Sequence, residues 1–229
     1  MDKKVIIKNF SKHAASYDDH AVIQKKCAEK LIGLLEDGHF AQILEVGCGT
    51  GIYTRLLRSK YPGAGITAVD ISEEMVALAR KKLHGANIDL TVADGERIAS
   101  DKKFGLITSN ASLQWFNDLD ATLKLFSKML TPGGVLAFSI YGPETFAELN
   151  EVLMAYFGRG HRLAASKFYS HGDLKDVIGK YFRVYELEEQ RFTATFSSLR
   201  ALLRDIKRSG TRGEGLSGDV FLGKRAIDD

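Results

Sequence analysis

Apolar residues along this chain keep two alternating rhythms. Short dense runs, Ile43-Leu44-Glu45-Val46, Ile66-Thr67-Ala68-Val69, Ile88-Asp89-Leu90-Thr91-Val92, Phe104-Gly105-Leu106-Ile107 and Val135-Leu136-Ala137-Phe138, read as buried strands. Between them, residues 52–57, 73–83 and 118–130 space their apolar positions as amphipathic helices do; Met75, Val76, Ala79 and Leu83 share one such face. Pro62-Gly63-Ala64-Gly65 and Thr131-Pro132-Gly133-Gly134 punctuate the pattern as turns. Repeated strand-helix alternation predicts an α/β fold, a doubly wound, mostly parallel, Rossmann-like sheet.

The two ends depart from this rhythm. Up to about Tyr17 the chain is polar and weakly patterned, an N-terminal arm. Ile23, Cys27, Leu31 and Leu34 then recur at helical spacing and stop before Gly38. After the fifth strand come a helical stretch at 144–157, the basic loop Gly158-Arg159-Gly160-His161-Arg162 and a short helix at 173–178, an insertion placed to form a helical lid. Residues 182–196 read as extended. A last helix starts at Ser197 or Ser198, with Leu199, Leu202, Leu203 and Ile206 on one face and Arg200, Arg204, Lys207 and Arg208 on the other. No repeat, low-complexity tract or linker divides the chain. It reads as a single domain: 1–40 arm and helix, 41–141 core, 142–180 lid, 181–229 C-terminal strand, basic helix and tail.

Composition changes this picture little. The 229 residues suffice for one domain with a substantial core, and 45% hydrophobic with 27% charged residues is ordinary for a globular protein. A net charge of +3 is too small by itself to argue for nucleic acid, so the placement of the cations matters more. The basic face of the last helix is either solvated or a docking surface for an acidic partner, the latter with salt-sensitive binding. Cys27 and Cys48 have no metal-ligand spacing and fit a reduced, cytoplasmic setting without a metal. Met1-Asp2-Lys3-Lys4 leads into no long apolar segment, and no run reaches membrane-spanning length, so no membrane role is expected.

The chemistry lies in the loop Glu45-Val46-Gly47-Cys48-Gly49-Thr50-Gly51, between the first strand and its helix. Glycines serve where the backbone takes a positive φ or a ligand approaches closely, and the helix start behind them offers unpaired N–H groups. A dinucleotide fingerprint requires Gly-x-Gly-x-x-Gly. Here the third glycine, Gly51, falls one position early, Ile52 follows, and Glu45 would repel a pyrophosphate. A cationic sulfonium ligand with a free amino group suits this field better; an ordinary strand-to-helix turn is the plain alternative. Asp70 ends the second strand about 20 residues further on, the separation that sets a carboxylate on ribose hydroxyls, though it could instead cap the next helix. Asp94 and Gly95, after the third strand, could accept an adenine amine or simply satisfy loop N–H groups. Asn110, Ser112, Gln114 and Trp115 gather at the carboxyl end of the fourth strand, where open α/β sheets bind ligands. Tyr17 and Gln24 are surface or half-buried residues, or cover the cofactor.

Glu45-x-Gly47-x-Gly49-x-Gly51 resembles the first motif of class I S-adenosylmethionine-dependent methyltransferases. A more particular resemblance is carried by Phe10…Ala14-Ala15-Ser16-Tyr17-Asp18…Ala21-Val22-Ile23-Gln24, Asp70-Ile71…Met75, Ser109-Asn110-Ala111-Ser112-Leu113-Gln114-Trp115, Gly142-Pro143-Glu144-Thr145-Phe146-Ala147-Glu148-Leu149 and Leu203…Ile206-Lys207-Arg208-Ser209-Gly210. Together these resemble the malonyl-[acyl-carrier protein] O-methyltransferases of biotin synthesis, over residues 10–210. The resemblance implies a methyltransferase sheet, S-adenosyl-L-methionine as cofactor, and Gln24, Glu45, Gly47, Cys48, Gly49, Gly51, Asp70, Ile71, Met75, Asp94, Gly95, Asn110 and Gln114 as its pocket. It implies methyl transfer to the free carboxylate of a malonyl thioester on an acidic carrier protein, or on coenzyme A. That carboxylate is already ionised at neutral pH, so positioning is expected to carry the catalysis, with no general base.

A cation must hold the carboxylate. Arg159, Arg162, Arg200 and Arg204 are candidates, with Arg200 and Arg204 favoured because their helix carries the Lys207–Gly210 turn, and Tyr17 joins them as a catalytic-site candidate. The same helix, with Arg200, Arg204, Lys207 and Arg208, is the expected carrier surface. Such family members continue with a helix and a final antiparallel strand; residues 218–229 have too few apolar residues for both, so that strand is expected to be missing and the protein to be a monomer or an edge-paired dimer. Two rival readings are a methyltransferase of similar core acting on a free dicarboxylate and a non-catalytic cofactor binder. A nicotinamide oxidoreductase is disfavoured by Ile52 and Glu45.

Overall fold

Successive residues of a strand face opposite sides of a sheet, and this chain uses that alternation to build two core layers on one set of strands. A computed structural model describes residues 2–158, 160, 162–183 and 185–209. In it β1 (Gln42–Val46), β2 (Gly65–Asp70), β3 (Ile88–Val92), β4 (Phe104–Asn110) and β5 (Leu130–Ser139) form a parallel sheet of order β3-β2-β1-β4-β5. The order reverses between β1 and β4, a crevice that opens at the carboxyl ends of the strands. Ile43 faces one layer with Leu57, Ile66, Val76 and Leu106, while Leu44 faces the other with Ile107, Leu123, Phe126 and Val177. The first layer is covered by α3 (Val22–Leu34), α4 (Ile52–Lys60) and α5 (Glu73–Lys82), the second by α6 (Leu119–Met129) and α8 (His171–Gly179).

The arm is more ordered than its polar sequence suggests. α1 (Lys3–His13) is capped by the Asp2 carboxylate, which accepts from the Lys4 N–H at 2.8 Å, and a 3₁₀ turn leads to α2 (Tyr17–His20). Ile6 of α1 packs with Trp115, Ala165 and Phe168, so arm and lid meet over the carboxyl edge. Phe10 and Phe168 each set a ring edge-on to Trp115, with centroids 6.0 and 5.5 Å away.

Three boundaries differ from expectation. α6 runs directly into β5, so the Thr131–Gly134 breaker lies within the strand. A bulge absorbs it, since Phe104 pairs with Leu130 and Leu106 with Val135, with Gly133 at φ +75°. The lid helix α7 (Ala147–Phe157) starts three residues late, because Phe146 adopts φ +59°. Residues 182–196 form no strand among the described residues; without a paired edge their β-branched and aromatic side chains leave them irregular and mostly exposed. α9 (Leu199–Arg208) is N-capped by the Ser198 hydroxyl, as expected of that residue. The tail at 210–229, with Gly210, lies outside the described residues.

Candidate active site

The glycine loop closes on the end of β2. The N–H groups of Gly47 and Cys48 both donate to the Val69 carbonyl, at 2.8 and 3.0 Å, and the Gly51 N–H donates to Cys48 at 2.9 Å. Gly47, Gly49 and Gly51 all have positive φ, at 78°, 53° and 88°. At Gly47 a Cβ would lie 2.1 Å from the Ser112 hydroxyl, so the loop needs glycine there for close packing against the segment after β4. Gly49 has nothing within 4 Å of its missing side chain, and its N–H donates to Asp70 Oδ2 at 2.8 Å. Asp70 Oδ1 accepts the Ser72 N–H at 2.9 Å. Burial raises the Asp70 pKa in spite of these backbone donors.

Glu45 sits one strand away, 1% exposed. Burial, aided by the Asp70 charge, pushes its pKa up to about 8, although Thr54 acts against the shift. Its Oε2 has no partner among the described residues. The same is true of Gln114 Oε1 and the Trp115 indole nitrogen, near the end of the adjacent strand. Buried polar atoms of this kind are costly unless something pairs with them. An orphaned carboxyl oxygen, an open cradle at Gly49 and a carboxylate at Asp70 fit a ligand that carries both an ammonium or sulfonium and a ribose.

Around this centre the candidate residues take different parts. The Asn110 amide donates to the Gln24 carbonyl at 3.0 Å and accepts the Ser139 hydroxyl at 2.8 Å, pinning α3 to the ends of β4 and β5. Gln24 is itself buried. Gln114 donates to the Ala111 carbonyl at 2.7 Å, and Ala111 takes φ +51°. Tyr17 packs edge-on to Phe10; burial raises its hydroxyl pKa, with the nearby Asp70 and Asp18 charges adding to it. Cys48 and Met75 are buried, and Ile71 is half-buried beside Asp70. At Gly95 a Cβ would lie 2.5 Å from Val46 and 2.7 Å from Phe116, so packing alone requires this glycine.

Asp94 has a partner that the sequence did not announce. Lys3 of α1 places its ammonium 2.5 Å from Asp94 Oδ2 and also on Glu96. Asp18 likewise ties the arm to the loop: it accepts from Thr50 Oγ1 at 2.5 Å and pairs with Lys82 at 2.5 Å. Burial would raise the Asp18 pKa, but these two partners hold it below the usual range. No periodicity marks Lys3 or Asp18, because each acts across more than thirty positions of sequence.

Arg200 and Arg204 are exposed on α9, which is joined to the arm where His20 Nδ1 meets Asp205 at 2.9 Å. Arg162 is exposed in the lid, and Arg159 lies outside the described residues. Among the described residues no group of His, Cys, Asp or Glu could hold a metal ion, and no helix is long and apolar enough to cross a membrane.

Comparison with known proteins places this geometry in a family. A methyltransferase-domain model matches residues 43–134. The malonyl-[acyl-carrier protein] O-methyltransferase of Priestia megaterium is 44% identical over 153 residues, covering 66% of this chain and 56% of that protein. Malonyl-[acyl-carrier protein] O-methyltransferase 2 of Ilyobacter polytropus is 34% identical over 212 residues, covering 92% of this chain and 81% of its own. The match thus spans little more than half of the first relative's length. Among solved structures, the putative methyltransferase in complex with the Haloferax volcanii Trm112 activator shares the fold with a TM-score of 0.63 at 18% identity, over 89% of this chain and 93% of its own. A methyltransferase of Mesorhizobium loti has a TM-score of 0.53 at 23% identity, over 69% of this chain and 82% of its own.

Proposed function

The chain belongs to the malonyl-[acyl-carrier protein] O-methyltransferase family, and on that premise we propose that it methylates the free carboxylate of a malonyl thioester held on acyl-carrier protein, with S-adenosyl-L-methionine as donor, in early biotin synthesis. The single observation that carries the cofactor half is the contact of the Gly49 N–H with Asp70 beside the orphaned Glu45 oxygen. The cofactor supplies an activated methyl group on a positively charged sulfur. Asp70 is assigned the ribose hydroxyls, Glu45 the ammonium end, and the loop of Gly47, Cys48, Gly49 and Gly51 the backbone cradle. Ile71, Met75, Asp94, Gly95, Asn110 and Gln114 complete the pocket, with Gln24 and Tyr17 above it.

No residue is assigned as a base, because a malonyl carboxylate is ionised at neutral pH. The protein's task is to hold that oxygen in line with the methyl group and keep water away. Arg200 or Arg204 is assigned to the carboxylate, with Arg162 and Arg159 as the other arginine candidates; a guanidinium fork matches a carboxylate in shape and charge. The exposed Arg200, Arg204, Lys207 and Arg208 face supports an acidic partner. Free Cys27 and Cys48 support a reduced, cytoplasmic setting.

The test offers labelled S-adenosylmethionine with malonyl-carrier protein, malonyl-coenzyme A and free malonate in parallel. Methyl ester on the carrier-bound substrate is the expected result, and replacing both Arg200 and Arg204 by Ala should abolish turnover while cofactor binding persists. Methylation of free malonate alone would replace the reading with a small-acid methyltransferase. Cofactor binding with no product from any substrate would make the protein a non-catalytic binder.

A further inference from the structure

The outer side of α1 carries Lys4, Lys8 and Lys12, all exposed. Spaced at i, i+4 and i+8, they form one row about 12 Å long. None of the three side chains is in an ion pair among the described residues. The row borders a shallow groove that also includes Ile7, Ser11 and Glu74. Glu74, the one acid there, already accepts from the Ser11 and Ser72 hydroxyls.

Two further observations connect the row to the site and to α9. On the inner side of α1, Lys3 holds Asp94 and Ile6 is buried, while Ser11, beside the lysine row, meets the Ser72 hydroxyl at 2.9 Å, so the row borders the carboxyl edge of the sheet. α1 leads through the 3₁₀ turn into α2, and α2 packs against α9, where His20 Nδ1 meets Asp205 at 2.9 Å. At the C-terminal end of α1, burial first, and then the charges of Lys12, Lys207, Arg208 and His20, lower the His13 pKa. α1 is thus joined to α9 through α2, with Lys207 and Arg208 two and three residues beyond Asp205.

We propose that Lys4, Lys8 and Lys12 of α1 and Lys207 and Arg208 of α9 form one continuous surface that docks an acidic helix of the carrier protein. The inference rests on the carrier-protein reading above and adds α1 to it. Ammonium groups about 6 Å apart along a helix do not converge on one phosphate, but they match carboxylates repeated along a facing helix. Ile7 within the groove suits a protein partner better than a nucleic-acid backbone. With α1 over the site, a carrier seated there delivers its acyl chain across the arm.

The experiment compares wild type with the triple variant Lys4→Glu, Lys8→Glu, Lys12→Glu in steady state, using malonyl-carrier protein and malonyl-coenzyme A. Lys102→Glu, at the amino edge of the sheet, serves as a control for charge reversal away from α1. Matched melting temperatures establish that the exposed substitutions leave the fold intact. The expected result is at least a tenfold rise in KM for the carrier substrate, with kcat and the coenzyme A kinetics unchanged. An unchanged carrier KM, or equal losses on both substrates, would overturn the proposal. If wild type methylates neither substrate, the catalytic reading fails. Fluorescence anisotropy of labelled carrier protein then decides docking, and equal affinity of wild type and triple variant, or no binding by either, rejects it.

Discussion

Gly47 concentrates two demands on one residue. Its φ of +78° lies in the left-handed region, and any Cβ there would collide with the Ser112 side chain. Gly47→Ala should therefore cost at least about 2 kcal/mol of stability, combining backbone strain with overpacking. Thermal unfolding measures this, and the same variant should lose cofactor affinity. Asp70→Asn keeps the shape but leaves an amide where both the Gly49 and Ser72 N–H groups now find carboxylate oxygens. Charge-assisted bonds of this kind contribute about 1.5–3 kcal/mol each, so S-adenosylmethionine affinity should fall at least tenfold by calorimetry.

Glu45 gives a signed pH dependence. Its pKa is raised from 4.5 to about 8 in the folded state, so between those limits the folded protein binds more protons than the unfolded chain. That contribution is full below the unfolded value and is lost as pH rises through the folded one. Melting temperature of the ligand-free protein should fall from about pH 5 to about pH 8, and Glu45→Gln should flatten that slope. A cation bound beside Glu45 favours its charged form, so cofactor binding near neutral pH should release a proton. Calorimetry in buffers of different ionisation enthalpy measures that release.

At the scale of elements, the arm is the part that tertiary contacts create. Hydrophobic periodicity located α3 but not α1 or α2, whose residues are held by Lys3 on Asp94, Asp18 on Thr50 and Lys82, and His20 on Asp205. If Asp94 receives the adenine amine, Lys3 competes for it. Lys3→Met should then leave cofactor affinity unchanged or a few-fold higher while making α1 more susceptible to limited proteolysis; a tenfold loss of affinity would instead make Lys3 part of the pocket. The extended reading of 182–196 failed for a related reason. Strand propensity records a fit to a pleated, paired surface, and among the described residues no edge pairs with this segment.

Across the whole molecule, one sheet serves both core layers, so damage to either should be felt by both. Phe126 is fully buried in the layer opposite α3, α4 and α5. Phe126→Ala should cost about 3–5 kcal/mol. Unfolding should remain a single transition by fluorescence and circular dichroism, because neither layer has a floor without the shared strands; two separated transitions would mean that the layers are independent units.

The alternation of β1 to β5 with α3 to α6, the glycine loop and the acid at Asp70 were all determined by the sequence alone. Each depends on local periodicity or on a fixed spacing along one strand-loop-helix unit. Only the tertiary structure decided that Gly95 is required by packing, that Asn110 clamps Gln24 and Ser139, that Asp94 already holds Lys3, and that His20 of the arm meets Asp205 of α9. These contacts join groups far apart in the chain. Such pairings are set by how the elements pack, and a one-dimensional pattern carries no record of which distant side chains that packing brings together.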